Sequence, residues 1–187
     1  MKEKISSYIS KTHSAIESIE KITDEIENAV SAITDSVRNG GKILVFGNGG
    51  SAADSQHIST ELISRFRRER KPIPAISLTT NTSLLTAVSN DYSFDDVFSL
   101  QVEALGREND TAIAISTSGN SASIIKAAQT ARQMGIKVIA LTGAGGGELA
   151  SNSDILLEID SDVTSHVQEG HLAVYHMICM LVEDELG

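Results

Sequence analysis

A histidine and a glutamate lie four residues apart shortly after a glycine-rich turn, in the segment VFGNGGSAADSQHISTEL, residues 45–62. We expect a helix to begin at this turn, capped by Ser51. On that helix His57 and Glu61 occupy positions i and i+4 and project from the same face. Imidazole and carboxylate groups are common general acids and bases. The spacing predicts that the turn binds a ligand while the following helical turns present reactive groups to it.

The glycine-rich turn follows a short apolar run that is typical of a strand. Strand-to-helix turns of this kind bind phosphate through free N–H groups and the helix dipole. Gly47, Gly49 and Ala52 also match the G-x-G-x-x-A form of dinucleotide-binding proteins, but Asn81 stands where a ribose would need an acid. No Gly-Lys-Ser/Thr sequence follows, which argues against a P-loop. Spacing alone leaves two interpretations, a phosphate cradle or a tight structural corner.

A second polar turn follows the third apolar run, in the segment AISTSGNSAS, residues 114–123. Any single hydroxyl side chain there is best explained as a helix N-cap. Capping does not need four hydroxyls within six residues, and this turn carries Ser116, Thr117, Ser118 and Ser121. The two turns together therefore favour a neutral, hydroxyl-rich phosphate pocket.

Short, nearly continuous apolar runs alternate with segments long enough for helices. These runs are residues 42–47, 74–79, 111–116, 137–143 and 155–159. Such runs are typical of strands buried on both faces, and the alternation is typical of parallel βαβ units. The sequence predicts an α/β fold with a doubly wound, five-stranded parallel sheet. We expect one domain, residues 1–187, with an N-terminal helical segment (1–40) and an α/β core (41–187).

Both ends of the chain have helical periodicity. Residues 2–38 contain no glycine or proline and repeat apolar residues at spacings near 3.6, which predicts two helices or one broken helix. A single sheet domain cannot cover all of these apolar stripes, so we expect a homo-oligomer. Residues 165–186 predict a last helix, on which Gln168 and His176 lie about two turns and roughly 80° apart, close enough to line one pocket.

Composition limits the partners and the location of the protein. The chain has 187 residues and a net charge of −10, so nothing attracts nucleic acid or an anionic membrane surface. Cys179, the one cysteine, lies in an apolar run and is expected to be a buried small hydrophobe. No apolar stretch approaches the ~20 residues of a membrane span, and the first residues lack the apolar region of a signal peptide. We expect a cytoplasmic protein.

The two turns, together with SNDYSFDDVF and VQEGH, give the chain a resemblance to the sugar isomerase (SIS) domain family. Within it the chain is similar to the phosphoheptose isomerases, over nearly its whole length. The resemblance implies a flavodoxin-like sheet and a homotetramer with sites between subunits. It also implies conversion of sedoheptulose 7-phosphate into D-glycero-D-manno-heptose 7-phosphate, the first step of nucleotide-activated heptose biosynthesis.

The resemblance also implies roles for individual residues. Substrate contacts fall on Asn48, Gly49, Gly50, Glu61, Asn90, Asp91, Ser116, Thr117, Ser118, Ser121 and Gln168. One zinc ion per subunit falls on His57, Glu61, Gln168 and His176. Glu61 and His176 are the implied acid and base, and they suit an enediol reaction, which moves protons between carbon and oxygen atoms.

Three residues depart from the family pattern: Asn81, Ala122 and His166. The main alternative function is a non-catalytic SIS regulator that binds a phosphosugar or a protein, related to a replication-initiation-associated SIS protein. An isomerase for another phosphosugar is a second alternative. Fold analogy cannot separate them, because function resides in the site. Glu61 and His176 favour the enzyme, since both are present here.

Overall fold

A five-stranded parallel sheet forms the centre of the computed structural model, which describes all residues, 1–187. Its strands are β1 (Ile43–Gly47), β2 (Ala75–Ser77), β3 (Thr111–Ser116), β4 (Lys137–Thr142) and β5 (Ile155–Glu158). The strand order is β2-β1-β3-β4-β5, and every neighbouring pair is parallel. This is the flavodoxin-like order, in which the chain direction across the sheet reverses between β1 and β3. The predicted fold class is confirmed.

Eight α-helices and two short 3₁₀ segments surround the sheet. The helices are α1 (Lys2–Glu17), α2 (Thr23–Arg38), α3 (Gly50–Ile63), α4 (Thr82–Asp91), α5 (Ser99–Leu105), α6 (Ala122–Gln133), α7 (Gly147–Ala150) and α8 (Thr164–Leu186). The 3₁₀ segments are Ser18–Ile22 and Phe94–Asp96. No helix combines the length and apolar character that a membrane crossing requires.

Alternate residues of each strand face two separate hydrophobic cores. On one face, Val45 and Ile139 pack with Ile33 of α2, Ile58 of α3 and Val174 of α8. The free Cys179 is buried in this core, as predicted. The other face packs against α5 and α6, with a core that includes Phe46, Ala114, Val102, Ile124 and Ala128. Burial on both faces explains why the strands read as continuous apolar runs rather than as alternating patterns.

The N-terminal segment is two helices, the first of the two arrangements that its periodicity predicted. The break falls at Ser18, whose hydroxyl donates to the carbonyl of Ala15 at 2.6 Å and accepts the backbone N–H of Asp160 at 3.2 Å. A serine side chain that bonds to the preceding turn competes with regular helical bonding and bends the helix. The chain thus turns there without a glycine or a proline.

The predicted last helix, α8, is present, and it is continuous through Gly170, the residue that stands outside its helical period. A Cβ at this position would lie 2.9 Å from three side-chain atoms of Ile159, just after β5. The glycine therefore allows α8 to approach the sheet closely. This approach places one face of α8 along α3.

Strand β2 is shorter than the predicted residues 74–79. Pro74 has no N–H to donate, although its carbonyl accepts from Ile43 at 2.9 Å. Beyond Ser77 the hydroxyls of Ser77 and Thr79 bond to each other at 2.8 Å, and both contact Ser55 of α3. The edge strand thus ends early because its polar side chains form hydrogen bonds with α3.

Glu183 of α8 anchors the segment that leaves the C-terminal end of α3. Its buried carboxylate accepts the backbone N–H groups of Phe66, Arg67 and Arg68 at 3.0, 2.9 and 3.2 Å, and Arg70 lies 3.4 Å away. Burial acts to raise the pKa of Glu183, but the three N–H donors and the nearby guanidinium outweigh it, so the pKa lies below its ordinary value. Folding thus favours the charged form.

Substituting glutamine, Glu183→Gln, keeps the size of the side chain and removes its charge. We expect the free energy of unfolding at pH 7 to fall by about 1–3 kcal/mol, because buried donors lose a charged acceptor. The folded-state pKa is depressed, so the wild-type advantage is present above the unfolded-state pKa and is lost as the pH falls through the folded-state value. Urea unfolding at pH 7 and pH 3, at one protein concentration, measures both effects.

The exposed Glu103 supplies a matched control for this measurement, since Glu103→Gln removes a charge that has no buried partner. Its effect on the free energy of unfolding is expected to stay within about 0.5 kcal/mol at either pH. A Glu183→Gln deficit that persisted unchanged at pH 3 would contradict the assignment of the stabilisation to the carboxylate charge.

Candidate active site

Two loops meet at the carboxyl edge of the sheet, because β1 and β3 are neighbours and Gly47 pairs with Ile115. The pocket between them has a volume of about 330 Å³. It is lined by Asn48, Gly49, Gly50, Ser51, Ile115, Ser116, Thr117, Ser118, Ser121, Ile124, Thr164 and Gln168. Open parallel sheets bind ligands at this place, outside the carboxyl ends of the strands where the strand order reverses.

In the first loop, between β1 and α3, the backbone at Gly47 lies very close to Ser51. A Cβ on Gly47 would lie 2.6–2.8 Å from atoms of Ser51, and Gly49 has a φ of +56°, which favours glycine. Helix α3 begins at Gly50, and Gly49 precedes it without any side-chain cap. The predicted cap by Ser51 is therefore wrong, because Ser51 lies within the first turn and is buried against the loop. The uncapped N–H groups of this turn suit an anion.

The second loop is joined to the first by Asn48. Its side-chain amide donates to the hydroxyls of Ser121 and Ser123 at 2.8 and 2.9 Å. These bonds use the Asn48 amide hydrogens within the protein and orient Ser121 beside α6. The two loops that sequence analysis singled out separately are therefore one hydrogen-bonded unit.

A third loop supports the second from behind, which the sequence did not reveal. Gly119 has a φ of +66°, and a Cβ there would lie 2.0 Å from the carbonyl oxygen of Gly146. The backbone N–H of Gly143 donates to Thr117 at 3.0 Å, and that of Leu149 donates to Gly119 at 2.8 Å. The position of the hydroxyl-rich turn is thus set by backbone contacts with the loop that precedes α7.

His57 and Glu61 lie on one face of α3, with His57 Nε2 3.1 Å from Glu61 Oε1. From α8, the hydroxyl of Tyr175 lies 2.9 Å from His57 Nδ1, and the ring of His176 lies 5.0 Å from that of His57. The His176 ring also contacts Phe66, at 5.7 Å between centroids. The structure thus brings together His57, Glu61 and His176, each from a position that sequence analysis singled out.

Burial shifts the pKa of two groups in this cluster. Burial lowers the pKa of His176, and His57 lowers it further, although Glu61 acts in the opposite direction. His176 is therefore neutral at pH 7 and carries one donor and one acceptor nitrogen. Burial raises the pKa of Asp54, while His57 and the Tyr175 hydroxyl oppose the shift. The Asp54 Oδ2 atom is buried without a hydrogen-bond partner.

Gln168 lies on α8, the helix that also carries His176, and faces the phosphate pocket. It lines the pocket, and a Cβ on Gly50 would lie 2.3 Å from its Nε2 atom. Tyr175 and Asp54 were not among the site residues predicted from the sequence. Both carried a detectable signal, since Tyr175 lies seven residues after Gln168 on the same helix face and Asp54 lies three residues before His57.

Asn90 and Asp91 lie apart from the pocket within this single chain. They are exposed at the C-terminal end of α4, where the Asn90 amide donates to Asp91 at 2.7 Å. Neither residue lines the 330 Å³ pocket. Their substrate contacts stay a prediction from resemblance.

The three residues that depart from the family pattern have local structural roles. Asn81 caps α4 by accepting the backbone N–H of Leu84 at 3.1 Å, and Ala122 is the first residue of α6. His166 is buried on α8, with Nδ1 3.0 Å from the hydroxyl of Thr12. None of the three lines the phosphate pocket.

The predicted zinc ligands fit the metal in chemistry but are not a formed metal site. Imidazole nitrogens and a carboxylate oxygen are ordinary zinc ligands. However, no group of three or more His, Cys, Asp or Glu side chains in the chain is arranged to hold a metal ion. His57 and Glu61 contact each other instead.

Comparisons with known proteins agree with this architecture. The SIS domain family matches residues 7–143. A phosphoheptose isomerase from Rhodospirillum rubrum is 53% identical over 161 residues, 86% of each chain. One from Geotalea daltonii is 45% identical over 187 residues, all of this chain and 97% of the relative.

A solved phosphoheptose isomerase from Neisseria gonorrhoeae superimposes with a TM-score of 0.92 at 40% identity, over 98% of both chains. The chain therefore belongs to the SIS domain family and, within it, to the phosphoheptose isomerases.

The Asn48 bridge generates a test of the pocket that needs no substrate. Asn48→Ala removes both bonds to the second loop, each worth about 0.5–1.5 kcal/mol, so inorganic phosphate should bind roughly tenfold more weakly. The measurement is the phosphate-dependent rise in thermal midpoint. Asn39→Ala is the control, because Asn39 is exposed beyond α2 at the opposite edge of the sheet. Equal phosphate responses in Asn48→Ala and wild type would contradict the bridge's role.

Proposed function

We propose that this protein interconverts sedoheptulose 7-phosphate and D-glycero-D-manno-heptose 7-phosphate, supplying nucleotide-activated heptose biosynthesis. The observation that carries the proposal is the cluster of His57, Glu61 and His176, which lies on the same two helices, α3 and α8, that border the hydroxyl-rich anion pocket. A sugar phosphate needs both parts, one for its phosphate and one for its carbonyl end. The activity named for the curated relatives agrees with this arrangement.

The reaction moves a carbonyl from C2 to C1 of the sugar through an enediol. A base removes a proton from C1 while the C2 oxygen receives one, and the C1–C2 bond becomes double. A proton then returns to C2 while the C1 hydroxyl loses its own, and the aldehyde forms. No atom is gained or lost, and no redox partner is required.

Glu61 is the group assigned to the carbon-bound proton. Its Oε1 atom contacts His57 Nε2, which leaves Oε2 available to the substrate. His176 is assigned to the oxygen atoms, because a neutral imidazole can donate from one nitrogen and accept at the other. The phosphate is held away from these groups by the Asn48–Gly50 turn and the Ser116–Ser121 turn, through N–H groups and hydroxyls.

The alternative of a non-catalytic SIS regulator is not favoured. Such a regulator would need the phosphate pocket alone. This chain retains Glu61 and His176 in contact with the rest of the cluster. Its relatives over most of the chain, at 45–53% identity, are named as isomerases.

Glu61→Gln separates catalysis from binding. The amide keeps the size of the side chain but is no base, so kcat should fall by roughly 10²–10⁴ while KM changes little. Product formation is followed by NMR of the aldose, and substrate affinity by calorimetry. Glu69→Gln is the control, because Glu69 is exposed and pairs only with Arg65 on the surface.

Near-normal turnover in Glu61→Gln would remove Glu61 from the mechanism. Abolished binding in an intact fold would instead make it a substrate or metal ligand first. The same comparison applies to His176→Asn. Wild-type protein that forms no aldose, with or without added zinc, would support the regulator.

We further propose one zinc ion per subunit, held by His57, Glu61, Gln168 and His176. When bound, it would act as a Lewis acid and lower the cost of negative charge on the sugar oxygens. The proposal is supported by donor type. An amide oxygen is a weak ligand, and the side chains are not arranged around a metal here, so we expect modest affinity.

Chelation should remove this zinc without unfolding the protein, because the two hydrophobic cores do not depend on it. Metal analysis before and after chelator treatment, beside the thermal transition followed by circular dichroism, measures both quantities. A treated sample that lost its cooperative transition would show that the metal is structural.

We propose a homotetramer. Its support is the exposed apolar face of α1, where Ile5, Ile9 and Ile16 are 53%, 62% and 43% exposed. An apolar groove of about 530 Å³ continues this face between the N-terminal helices and Met177 and Met180 of α8. Light scattering should give about 80 kDa, four times 19.9 kDa. A monomer at micromolar concentration would contradict the proposal.

A cytoplasmic location completes the proposed function. It is supported by the substrate, since phosphorylated sugars are intracellular metabolites. The cysteine of the chain is a free, buried thiol, which suits a reducing compartment.

A further inference from the structure

His171 is a buried histidine of α8 that the reaction outlined above does not use. The residue is 0% exposed, and its Nε2 atom lies 3.1 Å from the backbone carbonyl oxygen of Thr142, the last residue of β4. Burial lowers the pKa of His171 to about 4, so the ring is neutral at pH 7. A carbonyl oxygen only accepts hydrogen bonds, so Nε2 carries the hydrogen and donates it to Thr142.

Packing alone does not account for a histidine at this position. The other ring nitrogen, Nδ1, is a bare acceptor, and it is buried without a hydrogen-bond partner. A buried polar atom without a partner destabilises the fold, so an apolar ring of similar size would suit the core better. What distinguishes His171 from such a ring is its hydrogen bond to Thr142.

The carbonyl group that His171 binds belongs to the peptide bond between Thr142 and Gly143. The backbone N–H of Ile159, just after β5, also donates to this oxygen, at 2.9 Å. The same peptide carries the N–H group of Gly143, which donates to the carbonyl oxygen of Thr117 at 3.0 Å. A trans peptide bond is planar, and its C=O and N–H groups point in opposite directions. Donors that fix the direction of the carbonyl therefore also fix the direction of the Gly143 N–H group.

The next peptide bond continues this series of hydrogen bonds to the phosphate pocket. The carbonyl of Thr117 and the N–H of Ser118 belong to one peptide, so the Ser118 N–H points away from Gly143. Both Thr117 and Ser118 line the pocket, and the Ser118 N–H has no acceptor within the protein. A free N–H group in this position suits a phosphate oxygen.

Two glycines bring α8, β4 and the second loop close enough for these bonds. A Cβ on Gly143 would lie 2.7 Å from the carbonyl oxygen of Thr117 and 2.9 Å from Cγ2 of Val167, one helical turn before His171. Gly170, the neighbour of His171, allows α8 to approach the sheet. The imidazole therefore reaches the end of β4 from the helix.

We propose that His171 is a positioning residue, which acts through the peptide bonds 142–143 and 117–118 to direct the N–H group of Ser118 at the phosphate of the substrate. Hydrogen bonds in such a series also polarise one another, which makes the last N–H group a stronger donor. The proposal rests on the phosphate pocket of the proposed function, but it does not rest on the isomerase chemistry.

A histidine that only stabilised the fold would behave differently. Its loss would lower the free energy of unfolding and leave the affinity for phosphate unchanged. Glu183→Gln is the matched control for this case, because Glu183 is also a buried polar residue of α8 but does not line the pocket. The discriminating quantity is therefore the dissociation constant of inorganic phosphate.

An NMR titration of the wild-type protein with inorganic phosphate tests the series without any substitution. We expect the amide proton of Ser118 to shift downfield, because it gains a charged acceptor. The amide proton of Gly143 and the Nε2–H proton of His171 should shift in the same direction by smaller amounts. Ile43, at the start of β1 on the opposite edge of the sheet, is the internal control. Phosphate binding that leaves Ser118 unmoved, or moves Ser118 alone, overturns the proposal.

Two substitutions at position 171 test the first bond of the series. His171→Phe keeps a ring without a donor and should weaken phosphate binding roughly threefold to tenfold, as expected for one misdirected hydrogen bond. His171→Gln supplies an N–H donor at a similar distance from the backbone and should recover most of the affinity. A wild-type affinity in His171→Phe, or no recovery in His171→Gln, overturns the role of His171.

Kinetics with the sugar phosphate separate this role from catalysis. His171→Phe should raise KM by the same factor and leave kcat nearly unchanged, because the phosphate contact is equal in the ground state and the transition state. A fall in kcat without a rise in KM overturns the proposal. Wild-type protein that shows the expected shifts but forms no aldose would refute the isomerase function alone. Wild-type protein that binds no phosphate would refute the pocket and this proposal together.

Discussion

The parallel pairing of β1 with β3 is the constraint on which the site depends. These strands are neighbours in space but are separated in sequence by β2 and three α-helices, and their carboxyl ends coincide at Gly47 and Ile115. Two loops that are nearly seventy residues apart are thereby placed face to face. Because the two loops are in contact, the Asn48 amide can donate to the hydroxyls of Ser121 and Ser123. A phosphate pocket without a single basic side chain becomes possible, because N–H groups and hydroxyls converge from both sides.

Helix α8 supplies what the sheet alone lacks. Its N-terminal half presents Gln168 to the pocket, its middle presents Tyr175 and His176 to α3, and its end holds the chain beyond α3 through Glu183. These side chains lie on the apolar face of α8 or next to it. The burial of that face therefore positions the polar groups. Stability and the proposed chemistry therefore share the same packing surface.

Much of this architecture was predictable from residue patterns. The two glycine and hydroxyl turns, the five strands and the last helix follow from apolar periodicity, because burial on a sheet imposes that periodicity. The pairing of His57 with Glu61 follows from helix geometry. Other features depend on contacts between residues that are distant in the sequence, or on close backbone approach within a loop. The absence of a cap at Ser51 depends on how closely Gly47 approaches it, and the contact of Tyr175 with His57 depends on the packing of two distant helices.

The contacts between α3 and α8 advance in step along both helices. Gln168 lies against Gly50, Tyr175 bonds to His57, and Glu183 bonds to the backbone of Phe66. One inserted residue in either helix would rotate everything beyond it by about 100° and displace it by about 1.5 Å. The number of residues between these contacts is therefore constrained in both helices at once. Insertions and deletions can be accommodated in the loops at the sheet edges, but within this pair only compensating changes in both helices would preserve the register.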